Sequence, residues 1–229
     1  METIETTSLL EHRIWNALEG SYFSWVLSAV LVGVYSYVSS GSLVRGASAQ
    51  TLVEAGALRA VLIDKGEFWR LSMSLLLHAD LLHLACNVMA LLALGRIAEA
   101  MYGRVRMFGL LYLSGLCGAI LSWSMGAVRT VGASGAIFGL LAALSVCGWK
   151  YRDELREELG HLLRRRLLFW GGFNLLLGLV VPSIDNPSHF GGFFCGCALG
   201  ALVGHRWEGH LDRMILAIAS IMAICSSIV

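Results

Sequence analysis

Six long apolar runs, separated by short connectors, limit what this chain can fold into. They cover residues 22–38, 71–94, 108–128, 132–149, 167–181 and 186–204. A helix needs about 20 apolar residues to cross the hydrocarbon core of a bilayer, and it satisfies its own backbone polar groups there. Most of the runs approach that length. The sequence therefore predicts an all-α fold, a polytopic transmembrane helix bundle with six spans.

The composition agrees with a membrane location. Hydrophobic residues make up 57% of the chain and charged residues 14%, whereas soluble domains carry about 25% charged residues. The net charge of +1 gives no indication of a nucleic-acid partner. All six cysteines fall within apolar runs and lack zinc-ligand spacing, so we expect no disulfide framework, no metal and no cofactor.

The rest of the sequence divides the chain into three parts. Residues 1–20 are predicted to be a short N-terminal cytoplasmic tail with a helix around residues 9–18, and residues 21–204 form the six-span core. Residues 205–229 are predicted to be a connector and a seventh span at 214–229, which is short for a full crossing. The connector 39–69 has two interpretations, either short amphipathic helices in the membrane interface or an ordinary surface loop.

Lysine and arginine residues are distributed unevenly between the two sets of connectors. If the N-terminus is cytoplasmic, 12 of the 17 basic residues lie on the cytoplasmic side and five on the outer side. Basic residues concentrate in cytoplasmic connectors, so we expect this orientation. The second, fourth and sixth spans then all run from the outer side inwards.

Ser134 lies near the start of the fourth span, among glycines. Backbone N–H groups at a helix start lack partners, and with the positive end of the helix dipole they could hold an oxyanion beside a serine nucleophile. Gly135 and Gly139 equally suit ordinary packing between membrane helices. This stretch alone leaves both interpretations open.

A candidate base lies at the same depth on the sixth span. His189 and Ser134 each follow the start of their span by a few residues, which places both less than roughly 10 Å below the outer face. The face of His189 continues as a stripe of glycines along which another helix can approach closely: Gly192, Gly196, Gly200 and Gly204. If this stripe meets the glycine edge of the fourth span, the imidazole can reach the hydroxyl and act as its base.

The acidic residues favour a dyad over a triad. In the second, fourth and sixth spans, Asp80 and Asp185 are the acids near this level, and both lie toward the outer face. We therefore expect a Ser–His dyad without a carboxylate partner for the histidine.

Two polar residues share one face of the second span. His83 and Asn87 are four residues apart, and both can donate hydrogen bonds to an oxyanion, together with the backbone N–H of Ser134. The alternative is a polar seam that holds helices together. His78 precedes them by about one turn and is interpreted as structural, at the entry to the span.

Two alternatives to the dyad, a metal site and a transporter, fit the sequence less well. His78, His83 and His189 could bind zinc, but no acidic ligand is placed near them and the HExxH spacing is missing. A transporter built on glycine-rich helices would bind its substrate near the mid-plane. Here the polar groups lie near the outer face, with no path to the other side.

Taken in order along residues 67–204, these motifs resemble those of rhomboid intramembrane serine proteases. The resemblance rests on the following residues: Trp69 and Arg70; His83 and Asn87; Glu99, Tyr102 and Gly103; Gly132, Ala133, Ser134 and Gly135; Asn186, His189, Phe190, Gly191 and Gly192. One departure is Phe138, four residues after the serine, where many members have a tyrosine that stacks on the catalytic histidine.

The resemblance implies a six-helix rhomboid-like core, with the seventh helix making a six-plus-one form, and a water-filled cavity that opens outward. It implies Ser134 as nucleophile, His189 as general base, and Asn87 and His83 as oxyanion donors. Expected partners are transmembrane protein substrates and the lipid bilayer. Separately, the short chain without soluble domains favours a bacterial inner membrane, with a eukaryotic organelle as the alternative location. The alternative function is a non-catalytic rhomboid-like protein that binds transmembrane segments.

Overall fold

The computed structural model describes residues 9–40, 44, 46–181 and 183–204. Its helices are α1 (Leu9–Glu19), α2 (Phe23–Val38), α3 (Ala49–Glu54), α4 (Ala60–Ile63), α5 (Arg70–Met73), α6 (Leu81–Tyr102), α7 (Arg104–Ser124), α8 (Ser134–Lys150), α9 (Glu157–His161), a π-helical turn (Leu162–Arg166), α10 (Leu167–Val180) and α11 (Asn186–Leu202). The fold is an all-α polytopic bundle, as predicted. The predicted seventh span lies outside the described residues.

Helix length and composition bear on how many of these helices can cross a membrane. Among the described residues, α6 and α7 are each long and apolar enough to cross alone. The helical segments Glu11–Glu19 and Phe23–Val38 are bent by 47° relative to each other, and they add a third crossing if they are counted as one broken span. α8 is apolar but shorter. The chain is an integral membrane protein. The total of six crossings, or seven with the C-terminal run, stays a prediction.

α8 lies at the centre of the bundle. Every residue from 135 to 145 is buried, and the helix packs mainly against α7 and α11. A helix that is apolar on all sides is stable only when other helices surround it. Because α8 begins at Ser134, this packing fixes the candidate nucleophile within the most buried helix described.

Contacts between connectors define two ends of the bundle. At one end, Leu58 pairs with Thr130 in an isolated antiparallel bridge, and Thr130 also contacts Asp185. At the other end, the Glu11 carboxylate accepts from the Arg156 N–H at 2.8 Å. The connectors predicted to be on the outer side therefore meet one another, and the predicted cytoplasmic tail meets the predicted cytoplasmic connector that contains Arg156.

Glu99 joins three helices at the end opposite Ser134. Its carboxylate accepts from the backbone N–H groups of Phe23 at 2.9 Å and Ser24 at 3.3 Å, at the start of α2. It also pairs with Arg104 at 3.1 Å. The α2 N-cap residue, Tyr22, makes no capping bond of its own. Glu99 therefore supplies from α6 the acceptor that the α2 terminus lacks.

The first connector contains short helices, and Arg70 holds it together. Their predicted position in the membrane interface stays a prediction. α3, α4 and α5 all lie between α2 and α6. The buried Arg70 guanidinium donates to Glu67 at 2.7 Å and to the carbonyls of Val53 and Ala57 at 2.6 and 3.1 Å. The connector is thus a folded segment that the buried Arg70 side chain ties together.

The predicted start of the second span is wrong by about ten residues. The apolar run 71–94 was assigned to one helix, but α5 ends at Met73 and α6 begins only at Leu81. Leu75 and Leu77 are buried in the intervening turns, so their hydrophobicity reflects packing of a loop. Asp80 starts α6 by accepting from the His83 N–H at 2.8 Å.

Polar residues and glycines set the other helix limits. α6 continues through the charged segment after residue 94, to Tyr102, and ends at Gly103 with φ +77°. α7 ends four residues before the predicted limit of 128, and Gly126, also at positive φ, lies in the following turn. An average of hydropathy along the chain does not detect helix ends that are set by single glycine residues.

Candidate active site

The structure brings Ser134 and His189 together at one end of the bundle. Ser134 is the first residue of α8 and His189 the fourth of α11. The His189 Nε2 lies 2.8 Å from the Ser134 Oγ, within hydrogen-bond range. His189 is buried and Ser134 half-buried. This distance allows a proton to pass directly from hydroxyl to imidazole.

The close approach depends on the two glycine edges, which meet in the structure. A Cβ on Gly192 would collide with the Gly135 carbonyl oxygen, and a Cβ on Gly196 with that of Gly139. Further along, a Cβ on Gly200 would lie 2.7 Å from Ala143 Cα. α8 and α11 therefore touch backbone to backbone along several turns.

Phe138 covers one face of the His189 ring. The two rings are stacked, with centroids 4.2 Å apart and planes inclined by 14°. Phe138 and Ser134 are four residues apart on α8, so they share one face of that helix. Helix α8 thus contacts the imidazole at two points, through the hydroxyl and through the aromatic ring.

The other ring nitrogen, His189 Nδ1, is buried and has no hydrogen-bond partner among the described residues. In a catalytic triad this atom would donate to a carboxylate. Asp185 begins the same helix, but its carboxylate accepts from the Ser188 N–H at 3.1 Å. Within the part of the chain that the structure describes, no carboxylate therefore contacts the second ring nitrogen of His189.

The segment before Ser134 is held in a conformation that requires glycine. Gly132 has φ +124°, which residues with a Cβ rarely adopt. Its N–H donates to the Ser74 carbonyl at 2.9 Å. A Cβ on Gly132 would lie 2.7 Å from the His83 Nε2. The His83 ring therefore contacts the backbone two residues before the candidate nucleophile.

Asn87 is buried one turn further along α6. Its Nδ2 donates to the His83 carbonyl oxygen at 2.9 Å, which uses one of the two amide hydrogens. The second hydrogen has no acceptor among the described residues. The structure thus brings His83 next to the approach to Ser134 and leaves Asn87 with a spare donor on the same helix face.

His78 lies in the turns before α6. It is 2% exposed, and its ring packs edge-on against His83 with centroids 5.0 Å apart. Within the described residues, no group of three or more His, Cys, Asp or Glu side chains is arranged to hold a metal ion. The zinc alternative for His78, His83 and His189 therefore has no structural support.

A polar cluster near the dyad was missed at the sequence level. Ser122 and Thr130 both donate to the Asp185 carboxylate, whereas the sequence indicated Asp185 only as an acid toward the outer face. The N-cap pattern of Asp185, followed by Pro187 and Ser188, marks a helix start. Nothing in the sequence indicates that Ser122 and Thr130 reach it.

The chain matches a known protein family in the region that holds the candidate site. A sequence model of the Rhomboid domain matches residues 65–206, more than half of the chain. The chain belongs to the rhomboid family. The four residues proposed for the site and the polar cluster all fall within the matched region. The predicted resemblance is thereby confirmed, and the fold described above is that of a rhomboid-family membrane protein.

Three relatives show how far the rhomboid similarity extends. The chain is 36% identical over 176 residues to "Rhomboid protease GluP" of Bacillus subtilis, covering 76% of this chain and 34% of the relative. It is 37% identical over 165 residues to "RHOMBOID-like protein 5" of Arabidopsis thaliana, covering 69% and 52%. For "Rhomboid-like protease 1" of Toxoplasma gondii, the identity is 32% over 163 residues, covering 68% and 54%. The chain thus spans about a third to about half of their length.

Proposed function

We propose that this rhomboid-family protein is an intramembrane serine protease, which hydrolyses peptide bonds within or near the transmembrane segments of other membrane proteins. The observation that carries the proposal is the 2.8 Å contact between Ser134 Oγ and His189 Nε2 at the start of the buried helix α8. Membership of the rhomboid family supports intramembrane protease activity in general. The core is proposed to be residues 21–204, flanked by the segments 1–20 and 205–229.

In the proposed mechanism, neutral His189 accepts the Ser134 proton at Nε2 while Oγ attacks the carbonyl carbon of the scissile bond. Phe138 holds the ring against rotation during this transfer. The resulting imidazolium then donates its proton to the leaving amine, and the C–N bond breaks. Water attacks the acyl-enzyme by the same route, with His189 again as base, and Ser134 is regenerated.

The negative charge that develops on the substrate oxygen needs hydrogen-bond donors. Ser134 is the first residue of α8, so its N–H has no intrahelical acceptor. We propose this N–H, the spare Asn87 amide hydrogen and the His83 ring as the oxyanion site. The positive end of the α8 dipole adds to the stabilisation.

The alternative, a non-catalytic rhomboid-like protein that binds transmembrane segments, is not favoured. Such a protein has no need for a serine and a histidine at hydrogen-bond distance, and the chain retains both. We also propose, from the charge distribution, that the N-terminus is cytoplasmic and the site opens to the outer side. A bacterial inner membrane is the proposed location; the relatives come from a bacterium, a plant and a protozoan.

The test is covalent labelling with a serine-directed phosphonate, together with cleavage of a transmembrane substrate in proteoliposomes. The unaltered chain should be labelled and cleave, whereas Ser134→Ala and His189→Ala should do neither. Since members of one catalytic unit are not additive, the double variant should be no worse than either single one. Ser145→Ala, which removes another buried serine hydroxyl from α8, is the matched control and should retain both signals. Turnover by Ser134→Ala would refute the assignment.

A further inference from the structure

A cluster of three polar side chains links α7, α11 and the segment that leads into α8. Ser122 Oγ donates to Asp185 Oδ2, and Thr130 Oγ1 donates to the same oxygen at 2.5 Å. The other carboxylate oxygen, Oδ1, accepts from the Ser188 N–H at 3.1 Å. Ser122 is buried at 1% exposure. The mechanism proposed above uses none of these three side chains.

The cluster lies at the same chain distance from both members of the dyad. Thr130 precedes Ser134 by four residues, and Asp185 precedes His189 by four residues. The Thr130 backbone is fixed in turn, because its N–H donates to the Leu58 carbonyl at 2.9 Å and its carbonyl accepts from the Leu58 N–H at 3.0 Å. The Asp185 carboxylate therefore connects a fixed approach to the nucleophile with the first turn of the helix that carries the base.

Capping of α11 would require only one of the two carboxylate oxygens. Asp80 provides the comparison within the molecule, because it caps α6 through a single bond from the His83 N–H at 2.8 Å and its side chain is exposed. Asp185 does the same with Oδ1 and uses Oδ2 to hold two hydroxyls from other parts of the chain. This second function is not needed to start the helix.

The contact between α8 and α11 explains why such a link is needed. The helices touch through glycines such as Gly135 and Gly192, and glycines have no side chains that interlock against sliding or rotation. In a bilayer no hydrophobic force presses one helix onto another, so packing and hydrogen bonds set their relative position. A polar link at the end of the two helices can fix the register that the glycine contact leaves free.

We propose that Asp185 is a positioning residue, whose carboxylate, through Thr130 and Ser122, holds α8 and α11 in the register that places Ser134 Oγ against His189 Nε2. The proposal rests on the proposed function, because its effect is on the reactivity of that dyad. Asp185 itself touches neither reacting atom. Misplacement of reacting groups by about 1 Å can lower a rate by about 100-fold, so loss of the link should slow the chemical step and leave substrate binding unchanged.

The test separates the link from the cap by changing Thr130 instead of Asp185. Thr130→Val removes the hydroxyl at nearly constant volume and leaves the bond from the Ser188 N–H to Asp185 in place. We expect kcat to fall about 10- to 100-fold at unchanged KM. The rate constant of phosphonate labelling should fall in parallel while the final labelled fraction stays complete. Thr130→Ser keeps the hydroxyl and should restore both rates.

The controls distinguish a positioning effect from a loss of folding. Ser145→Ala removes a buried hydroxyl from α8 whose bond, to the Leu141 carbonyl, stays within its own helix, and both its rates should match the unaltered chain. Wild-type rates in Thr130→Val would overturn the proposal, as would equal slowing in Thr130→Ser. A reduced labelled fraction at unchanged rate constant would mean a purely structural role and would also overturn it. Failure of the unaltered chain to be labelled would instead refute the proposed function.

Discussion

The His189 imidazole contacts two residues of the neighbouring helix α8, while its Nδ1 atom has no hydrogen-bond partner among the described residues. Ser134 Oγ meets Nε2, Phe138 covers a ring face, and Nδ1 has no partner in the described part of the chain. In a triad a carboxylate would orient the ring through Nδ1. Here the Phe138 ring is stacked on the imidazole instead, and its effect on the orientation of the imidazole can be measured.

Replacing Phe138 should lower the rate of the chemical step. Aromatic pairs contribute about 0.5–1.5 kcal/mol beyond the area they bury, so Phe138→Leu should reduce kcat by about 2- to 10-fold. Phe138→Tyr keeps the stacked ring and should retain kcat. Phe23→Leu on α2, which removes a half-buried ring at the end of the bundle opposite Ser134, is the control for general loosening. Equal rates for Phe138→Leu and the unaltered chain would show that stacking does not orient the base.

The role of Asn87 can be tested by comparison with Asn174, whose side-chain amide makes the same kind of hydrogen bond within its own helix. The Asn87 amide donates to the carbonyl four residues earlier at 2.9 Å, as the amide of Asn174 does on α10 at 2.8 Å. Loss of one oxyanion donor typically costs about 10²–10³ in rate. Asn87→Ala should therefore lower kcat by about that factor with little change in KM, because the oxyanion exists only along the reaction path.

Asn174→Ala is the matched control for loss of the helix bond alone, and it should leave kcat unchanged. If Asn87→Ala keeps full kcat and lowers only the thermal stability in detergent, the polar seam interpretation is correct and the oxyanion role is wrong. His83→Ala gives a less direct answer, because the His83 ring also contacts Gly132.

Sequence reasoning could place the dyad because helix geometry relates chain position to depth. Ser134 and His189 each follow a recognisable helix start, and glycine spacing showed which faces could meet. It could not find the link through Asp185, because Ser122 and Thr130 come from a helix end and a loop whose positions are set by tertiary contacts. A short polar side chain in such a connector has no periodic pattern that would indicate its partner.

At the scale of helices, hydropathy located the apolar segments and misplaced one of their limits. Leu75 and Leu77 are as buried as helix residues, yet they belong to turns of a loop folded into the bundle. A hydropathy average cannot separate a buried loop from a span. The true start of α6 is marked by the Asp80 N-cap, and its end by Gly103; both are local signals that depend on backbone conformation.

Glu99 should matter for the stability of helix packing and not for chemistry. Glu99→Ala removes the acceptor of the Phe23 and Ser24 N–H groups and the partner of Arg104. Buried donors left without partners cost about 1–3 kcal/mol, so the apparent Tm in detergent should fall clearly. The labelling rate constant of the folded fraction should not change, because Glu99 lies at the end of the bundle opposite Ser134.

The control for Glu99 is Glu54→Ala, which removes an exposed carboxylate bonded to Gln50. Exposed changes of this kind usually stay within about 0.5 kcal/mol. A Tm for Glu99→Ala equal to that of the control would mean that water replaces the carboxylate at the α2 terminus. A slower labelling rate at full stability would mean that the two ends of the bundle are coupled.

At the scale of the whole molecule, contacts between connectors support the alternation of helices that the charge pattern predicted. Connectors assigned to the same side meet one another in the structure, through Thr130 with Leu58 and Asp185, and through Glu11 with Arg156. These contacts define the two ends of the bundle, and the assignment of one end to the cytoplasmic side is a separate proposal. That assignment rests on the 12 basic residues on one side against five on the other.

The orientation can be measured at the two ends of α8. Arg129 precedes the helix and Arg152 follows it, and both side chains are exposed. A helix of 17 residues is about 25 Å long, so single cysteines at these positions report opposite faces. In intact bacterial cells, a membrane-impermeant maleimide should label Arg129→Cys directly and Arg152→Cys only after permeabilisation.

The unaltered chain is the control for background labelling, because the maleimide can react with its native cysteines, which lie in apolar segments. Labelling of Arg152→Cys in intact cells, with Arg129→Cys protected, would invert the orientation. Since Ser134 lies at the same end of α8 as Arg129, it would then face the cytoplasm, and substrates would have to be cut near their cytoplasmic ends. The side of the membrane on which cleavage products appear should therefore agree with the maleimide result in either case.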